Sequence, residues 1–151
     1  MNEWLTILLL SIGVISIITA VMMALVQHNY KRLLGFHAVS QVGYMILGFG
    51  LGSMIGVAAG LFHMINNALY KSGLFLSAGC VEYRTGKEDI DDLGGLSKAM
   101  PITFFASLVF AMSISGVPPF NGFASKWMIY QGIIDFGSGT GIANKLWILW
   151  L

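Results

Sequence analysis

The sequence predicts an all-α polytopic membrane protein, a bundle of about five transmembrane helices with one helix broken near Pro118 and Pro119. Composition predicts the membrane class, because 56% of the 151 residues are hydrophobic and only 10% are charged, at a mean hydropathy of +0.78. Long uncharged runs predict the individual helices. Polar residues recur at helical spacing inside two of these runs, which indicates a polar interior. We therefore expect residues 1–151 to form one membrane domain with the lipid bilayer as its solvent.

Composition also excludes several function classes. The formal net charge is +1 and no basic run is dense, so we expect no nucleic-acid partner. The single cysteine, Cys80, excludes an intrachain disulfide and an all-cysteine iron–sulfur site. The glycines between Gly48 and Gly52 lie in an apolar run and resemble neither a dinucleotide fingerprint nor a phosphate loop. We expect no cofactor and no metal in this chain, and any redox chemistry on another chain.

The first two predicted helices cover residues 4–27 and 33–52. The first is an uncharged run long enough to span, and acidic Glu3 argues against a signal peptide. The second carries a polar stripe on one helix face, formed by His37, Ser40, Gln41 and Tyr44. The sequence leaves two interpretations of this stripe equally open: hydrogen bonding between packed helices, or a place in an ion path.

The third predicted helix, residues 53–80, carries a second polar stripe and organises the rest of the chain. Its members lie at offsets of three, four, seven and eight residues, on one helix face: His63, Asn66, Asn67, Tyr70 and Lys71. A lysine at membrane depth costs on the order of 3 kcal/mol or more and marks ion pathways. Gly56 and Gly60 form a small-xxx-small pattern that permits close helix contact. Residues 81–100 are predicted to be a solvated hydrophilic loop rather than a cation site.

The fourth and fifth predicted helices, 101–117 and 120–134, are the two parts of the broken helix. The break is predicted from Pro118, Pro119 and Gly122. Backbone groups freed within a membrane must face protein or a water-filled cavity, and broken helices mark ion sites in many transporters. Lys126 follows the break and is predicted to be a second buried cation.

The chain's end is predicted to be incomplete. After a Gly/Ser-rich linker at 137–141, the apolar run 145–151 is too short to span a bilayer. We expect it to be the start of a truncated helix, and the chain to be a fragment of a longer protein.

Four blocks of sequence, in order, carry a family resemblance: HNYKRLLGFHAVSQVGYMILGFG, LFHMINNALYKSGLFLSAG, RTGKEDIDDLGGLSKAMP and SGVPPFNGFASKW. Together they resemble the antiporter-like proton-pumping subunits. That family is shared by respiratory complex I, multisubunit Na⁺/H⁺ antiporters, and the membrane arms of energy-converting hydrogenases and formate hydrogenlyases. The resemblance implies a fold of about fourteen helices built from two inverted repeats, of which this chain matches most of the second.

The resemblance also implies a proton path through this chain. By position it would include His63, Lys71 and Lys126, with His37 and Tyr44 lining it. Many relatives have a second histidine where this chain has Asn67, which cannot take up a proton near neutral pH. The first repeat, with its own ionisable pair, is expected to lie outside the part of the family that this chain matches.

The expected function is proton, or Na⁺/H⁺, translocation in a multi-pass protein of the cell inner membrane or its equivalent. His63 and Lys71 are eight residues apart, roughly 12 Å along a helix, so waters ordered near Asn67 would bridge them before the proton reaches Lys126. The chain itself would hold no catalytic chemistry. It would act with other membrane subunits of an NADH:quinone oxidoreductase or hydrogenase-type translocase.

Other interpretations stay open at this point. The complex could be a cation/proton antiporter not coupled to redox chemistry, or the chain could be a passive structural subunit. Lys71 could snorkel to an interface, Lys126 could anchor beside Trp127, and His63 could simply hydrogen-bond across helices. An intramembrane enzyme using Ser72 or Ser125 beside a lysine is disfavoured, because sequence neighbours point to different helix faces.

Overall fold

The computed structural model describes residues 2–139 and Lys145, and its long elements are all helices. They are α1 (Glu3–Leu25), α2 (Tyr30–Gly50), α3 (Met54–Thr85), α4 (Leu96–Ala99), α5 (Pro101–Ser115) and α6 (Asn121–Gly137), with a 3₁₀ turn at Ile90–Asp92. The all-α fold class is confirmed. The predicted helix start at 145–151 lies outside the described residues apart from Lys145, as does part of the predicted linker.

The third helix extends farther than predicted, to Thr85 rather than Cys80. Hydropathy locates the end of the apolar run, but the polar residues that follow continue the helix until Gly86, which adopts a left-handed conformation at φ 68°. The predicted loop at 81–100 is therefore corrected: it begins after α3 and contains the 3₁₀ turn and α4.

Helix α3 lies at the centre of the bundle, where it packs against α2, α5 and α6, while α1 packs along α2. The contact between α2 and α3 is close at three glycines. A Cβ atom on Gly48 would lie 2.8 Å from the carbonyl oxygen of Gly56 and 2.9 Å from the Cα atom of Gly60. The small-xxx-small pattern of α3 therefore lies at a helix contact, where it brings the two polar stripes close together.

Apolar side chains form both the core and much of the outer surface. A buried cluster that includes Leu10, Leu47, Ala59 and Ile129 joins α1, α2, α3 and α6. Helices α1 and α2 are each long and apolar enough to cross a membrane, and α5 is a shorter apolar helix. Helix α3 has the length, but its polar face lowers its average hydropathy.

The broken helix is confirmed, and the break separates α5 from α6. Helix α5 ends at Ser115, Gly116 has φ 81°, and α6 begins at Asn121 after the cis Pro118–Pro119 peptide bond. These ends differ slightly from the predicted 117 and 120.

The loop after α3 pairs with the turn between α1 and α2, since the Tyr30 N–H donates to the Glu88 carbonyl at 3.1 Å.

Candidate functional site

His63 is fully buried where α2, α3 and α6 meet. Its Nδ1 atom lies 2.9 Å from Ser125 Oγ on α6, and its Nε2 atom lies 3.2 Å from Gln41 Oε1 on α2. Tyr70 lies two turns further along α3, and its hydroxyl donates a hydrogen bond to the same Gln41 Oε1 at 3.2 Å. A single imidazole therefore joins both polar stripes to the helix that follows the break.

Lys71 is directed into the bundle rather than along the surface. Its side chain is 7% exposed, and Nζ donates a hydrogen bond to the Leu34 carbonyl of α2. Nζ also lies 5.7 Å from the centroid of the Phe75 ring. On α2, the partners of His63 and Lys71 are Gln41 and Leu34, which are seven residues apart. The partner positions run backwards along α2 as the bases advance along α3, as expected for antiparallel helices. Lys71 therefore does not snorkel to a membrane interface.

Lys126 bonds to a carbonyl that the helix break leaves open. Nζ donates to the Ile114 carbonyl at 2.7 Å and lies 5.2 Å from the centroid of the Tyr44 ring. A continuous helix would pair the Ile114 carbonyl with the N–H of residue 118, but Pro118 has none. Trp127, by contrast, faces outward and stacks on Phe123. The lysine and its neighbouring tryptophan therefore point in different directions, unlike a pair that anchors at the interface.

Tyr44 and His37, on the α2 stripe, lie near these basic groups. The centroid of the Tyr44 ring is 5.7 Å from that of the His63 ring. The same Tyr44 ring also contacts Lys126 Nζ. His37 is partly buried and lines the same cavity as Lys126. The α2 stripe thus places aromatic and imidazole side chains beside the buried bases of α3 and α6.

A cavity of about 340 Å³ runs along the α2 stripe. Its polar lining comes from Tyr30, His37, Ser40, Gln41, Tyr44, Ser115 and Lys126. Leu34, whose carbonyl holds Lys71, and Ile114, whose carbonyl holds Lys126, also line it. The cavity is therefore bordered by Lys126 itself and by the direct partners of His63 and Lys71. By volume it has room for on the order of ten water molecules.

The break is held by a second polar cluster, on the α3 side. Asn66 and Asn121 bond reciprocally: Asn66 Nδ2 donates to the Asn121 carbonyl at 3.1 Å, and Asn121 Nδ2 donates to Asn66 Oδ1 at 3.0 Å. Ser113 of α5 donates to Asn121 Oδ1. Gly122 packs so closely that a Cβ atom there would overlap the Ser113 carbonyl oxygen. These contacts fix the angle between the two halves of the broken helix.

The predicted site residues fall into three groups. Five of them, His37, Tyr44, His63, Lys71 and Lys126, border the cavity or bond to residues that line it. Asn67 lies at the edge of the α3 stripe, partly exposed, and its buried Oδ1 has no hydrogen-bond partner among the described residues. The break residues Pro118, Pro119 and Gly122 shape the Lys126 environment rather than lining the cavity.

Sequence reasoning missed three participants. Gln41 belongs to the predicted stripe, but nothing in its spacing shows that it receives two donors. The sequence suggests Ser125 only as a nucleophile beside Lys126, whereas its hydroxyl contacts His63 and Gly122. Asn121 is the first residue of α6, and its side chain joins α6 to α3 through Asn66. In residues 2–139, no hydrogen bond joins Ser125 to Lys126, and Ser72 bonds to its own helix at Ala68.

Known proteins share both the sequence and the fold. Residues 1–147 match the family described as NADH:quinone oxidoreductase/Mrp antiporter, TM. The chain is 41% identical over 155 aligned residues to formate hydrogenlyase subunit 3 of Escherichia coli, covering 95% of this chain and 26% of that protein. The chain spans about a quarter of the length of the curated relatives it matches first.

Two solved membrane complexes contain a chain with this fold. One is the membrane-bound sulfane sulfur reductase, an archaeal respiratory membrane complex, with a TM-score of 0.83 and 34% identity over 97% of this chain and 30% of that one. The other is the Mrp complex from Dietzia sp., with a TM-score of 0.81 and 34% identity over 94% and 28%. The present chain is accordingly an integral membrane protein that crosses the bilayer more than once.

Proposed function

Because the chain belongs to the NADH:quinone oxidoreductase/Mrp antiporter transmembrane family, we propose that it translocates protons as one membrane subunit of a multisubunit complex. The observation that carries the proposal is the 340 Å³ cavity, which reaches Lys126 and the partners of His63 and Lys71. A cavity of this size with several polar groups in its lining accommodates water, and a chain of waters transfers protons over distances that side chains alone do not bridge.

The lysine contacts support reversible proton exchange. Each amine donates to a backbone carbonyl, Lys71 to Leu34 and Lys126 to Ile114. An ammonium and a neutral amine both have N–H groups, so the same carbonyl accepts a hydrogen bond in either state. Loss of a proton therefore leaves no buried carbonyl unpaired.

Electrostatic coupling provides the order of events in this proposal. His37 and Lys126 line the same cavity, and His63 and Lys126 both contact the Tyr44 ring. Like charges in a medium of low dielectric constant repel, so that a proton arriving at one group favours release from its neighbour. Successive charging and discharging would move protons between Lys71 and Lys126 along the α2 stripe. Asn67, with its unpaired Oδ1, would order water beside this route without carrying charge.

The driving reaction is proposed to occur on other subunits, and the chain is proposed to hold no cofactor of its own. Formate hydrogenlyase and sulfane sulfur reductase are named for redox reactions, which favours a redox-driven complex of the cell inner membrane or its equivalent. The Mrp likeness supports the second candidate, a cation/proton antiporter without redox coupling. A sodium gradient that drives proton movement in liposomes would favour the antiporter. A passive structural subunit would need none of these buried bases.

Lys126→Arg tests the proposal most directly, in the complex that contains this chain, purified and reconstituted in liposomes. Arginine keeps the positive charge but does not release its proton in proteins. We expect Lys126→Arg and Lys126→Ala both to abolish proton movement, measured with a pH-sensitive dye. Lys98→Ala, which removes an exposed lysine in the loop before α5, is the matched control and should transport normally. Unchanged transport by Lys126→Arg would refute a proton-exchanging role.

A further inference from the structure

We propose that Gln41 and Ser125 are positioning residues that fix which nitrogen of His63 exchanges its proton. Gln41 holds the neutral ring as the Nε2–H tautomer, so the exchanged proton is the one on Nδ1. The Ser125 hydroxyl then turns between His63 and Gly122 as that proton arrives and leaves. The transport consequence rests on the function proposed above, whereas the tautomer follows from the hydrogen bonds alone.

The tautomer follows from the donors that converge on Gln41. Its Oε1 atom is a carbonyl oxygen, which only accepts hydrogen bonds. It receives the Tyr70 hydroxyl at 3.2 Å and faces His63 Nε2 at 3.2 Å. A bare Nε2 would set its lone pair against the lone pairs of that oxygen, and the His63 ring is fully buried. Nε2 therefore carries the proton, and Nδ1 of the neutral ring is the acceptor.

The role of Ser125 follows from counting protons. Its hydroxyl has one hydrogen but two acceptors within reach, His63 Nδ1 at 2.9 Å and the Gly122 carbonyl at 3.2 Å. With neutral His63, the hydroxyl donates to Nδ1. With charged His63, Nδ1–H donates to the hydroxyl oxygen, and the hydroxyl hydrogen turns to Gly122. Every donor has an acceptor in both states, so the site accepts both charge states of the ring without leaving a buried group unpaired.

The direction of exchange follows from where Nδ1 points. It faces α6, one residue before Lys126, while Nε2 faces α2 and does not exchange. Among the described residues, the titratable groups next to the ring or to its partners are Tyr44 on α2, Tyr70 on α3 and Lys126 on α6, and of these only Lys126 is a base. The exchangeable proton of His63 is therefore on the side of the broken helix, where its arrival changes a hydrogen bond to the first turn of α6.

Nitrogen-15 NMR of the imidazole ring tests the tautomer, with the labelled complex in lipid bilayers and the His63 signals assigned by their loss in His63→Gln. At a pH where the ring is neutral, we expect protonated Nε2 and bare Nδ1. Gln41→Leu should produce a mixture of both tautomers, because the oxygen that selects Nε2–H is gone. A wild-type ring that carries its neutral proton on Nδ1 would overturn the proposal, since the amide nitrogen of Gln41 would then face it.

Transport rates in liposomes test the hydroxyl. Ser125→Ala should slow proton movement at least about tenfold, because His63 Nδ1 loses its buried hydrogen-bond partner, while Ser125→Thr retains the hydroxyl and most of the rate. Ser77→Ala is the matched control, because Ser77 is also buried but donates only to Gly73 on its own helix. A wild-type rate in Ser125→Ala would overturn the role of the hydroxyl.

Two further readouts separate the possible failures. The thermal unfolding midpoint of each complex shows whether Ser125→Ala is folded, and Ser125→Thr provides the comparison if it is not. The NMR result does not require transport, so a selected Nε2–H tautomer together with an active Lys126→Arg would leave this assignment standing while refuting the proposed function.

Discussion

At the scale of single residues, each buried base is held by a hydrogen bond to a partner that is distant in sequence. The sequence alone does not identify these partners. Lys126 bonds to the Ile114 carbonyl because Pro118 cannot, and its amine lies over the Tyr44 ring. An aromatic face stabilises a cation through its quadrupole, by up to about 2 kcal/mol where water is excluded. Tyr44 thus supports the charged form of Lys126 as well as contacting His63.

Replacement of Tyr44 tests this contact. Tyr44→Leu removes the ring and should slow proton movement by roughly five- to thirtyfold, the equivalent of about 1–2 kcal/mol. Tyr44→Phe keeps the ring and should retain most of the rate, since the attraction needs the face and not the hydroxyl. The measurement is the initial rate of dye response in liposomes that contain the reconstituted complex. Equal loss in both variants would show that the hydroxyl, rather than the ring face, is what matters.

At the scale of the elements, the break between α5 and α6 is the feature on which the site depends. Prolines and Gly116 end α5, and the contacts among Asn66, Asn121 and Ser113 set where α6 begins again. The break therefore does two things: it opens the Ile114 carbonyl for Lys126, and it places Ser125 beside His63. A change in the angle between the two helices would separate both pairs at once.

Gly122→Ala tests this dependence on the break. A methyl group there overlaps the Ser113 carbonyl oxygen, so α6 must move away from α5. Overpacking of this kind costs typically about 1–3 kcal/mol, and we expect a lower thermal unfolding midpoint together with loss of proton movement. Gly79→Ala is the matched control, because a Cβ atom at Gly79 of α3 meets nothing within 4 Å. A Gly122→Ala complex as stable and as active as Gly79→Ala would contradict the close packing described here.

At the scale of the whole molecule, the loop after α3 fastens the end of α3 to the α1–α2 turn. Backbone bonds join Tyr30 to Glu88 and Ile90 to His28, and Lys31 pairs with Glu82 at 2.5 Å. The side-chain amide of Asn29, which donates to Glu88 at 2.9 Å, and then the charge of Lys31 hold the pKa of Glu88 below its usual value. These contacts lie outside the apolar bundle and fix which helix ends lie together.

Acidification tests the contribution of Glu88. A carboxyl group with a lowered pKa in the folded state adds stability at a pH above its unfolded value, about 4.3, and that stability is lost as the pH falls through the folded value. We expect hydrogen-exchange protection of the Tyr30 and Ile90 amides to fall over this acidic range. Glu88→Gln should show lower protection at neutral pH and a smaller change on acidification. Asp89→Asn, a neighbouring exposed carboxylate, is the control and should behave as the wild type.

Much of the architecture was determined by the sequence alone. Uncharged runs specified helices because a bilayer leaves the backbone no other partner for its hydrogen bonds, and Pro118 and Pro119 specified the break because proline lacks an N–H. Helical spacing placed His63 and Lys71 on one face. The end of α3 was missed because hydropathy reports where lipid contact ends, not where helical backbone ends.

Only the tertiary structure decided which groups meet. Periodicity specifies the face of a helix but not the helix that packs against it, so the pairing of His63 with Ser125 and Gln41 had no signal along the chain. The carbonyls that receive Lys71 and Lys126 belong to Leu34 and Ile114, whose side chains are apolar. Every residue carries the same carbonyl, and only the packing of α2, α3, α5 and α6 selects the two that hold a buried amine.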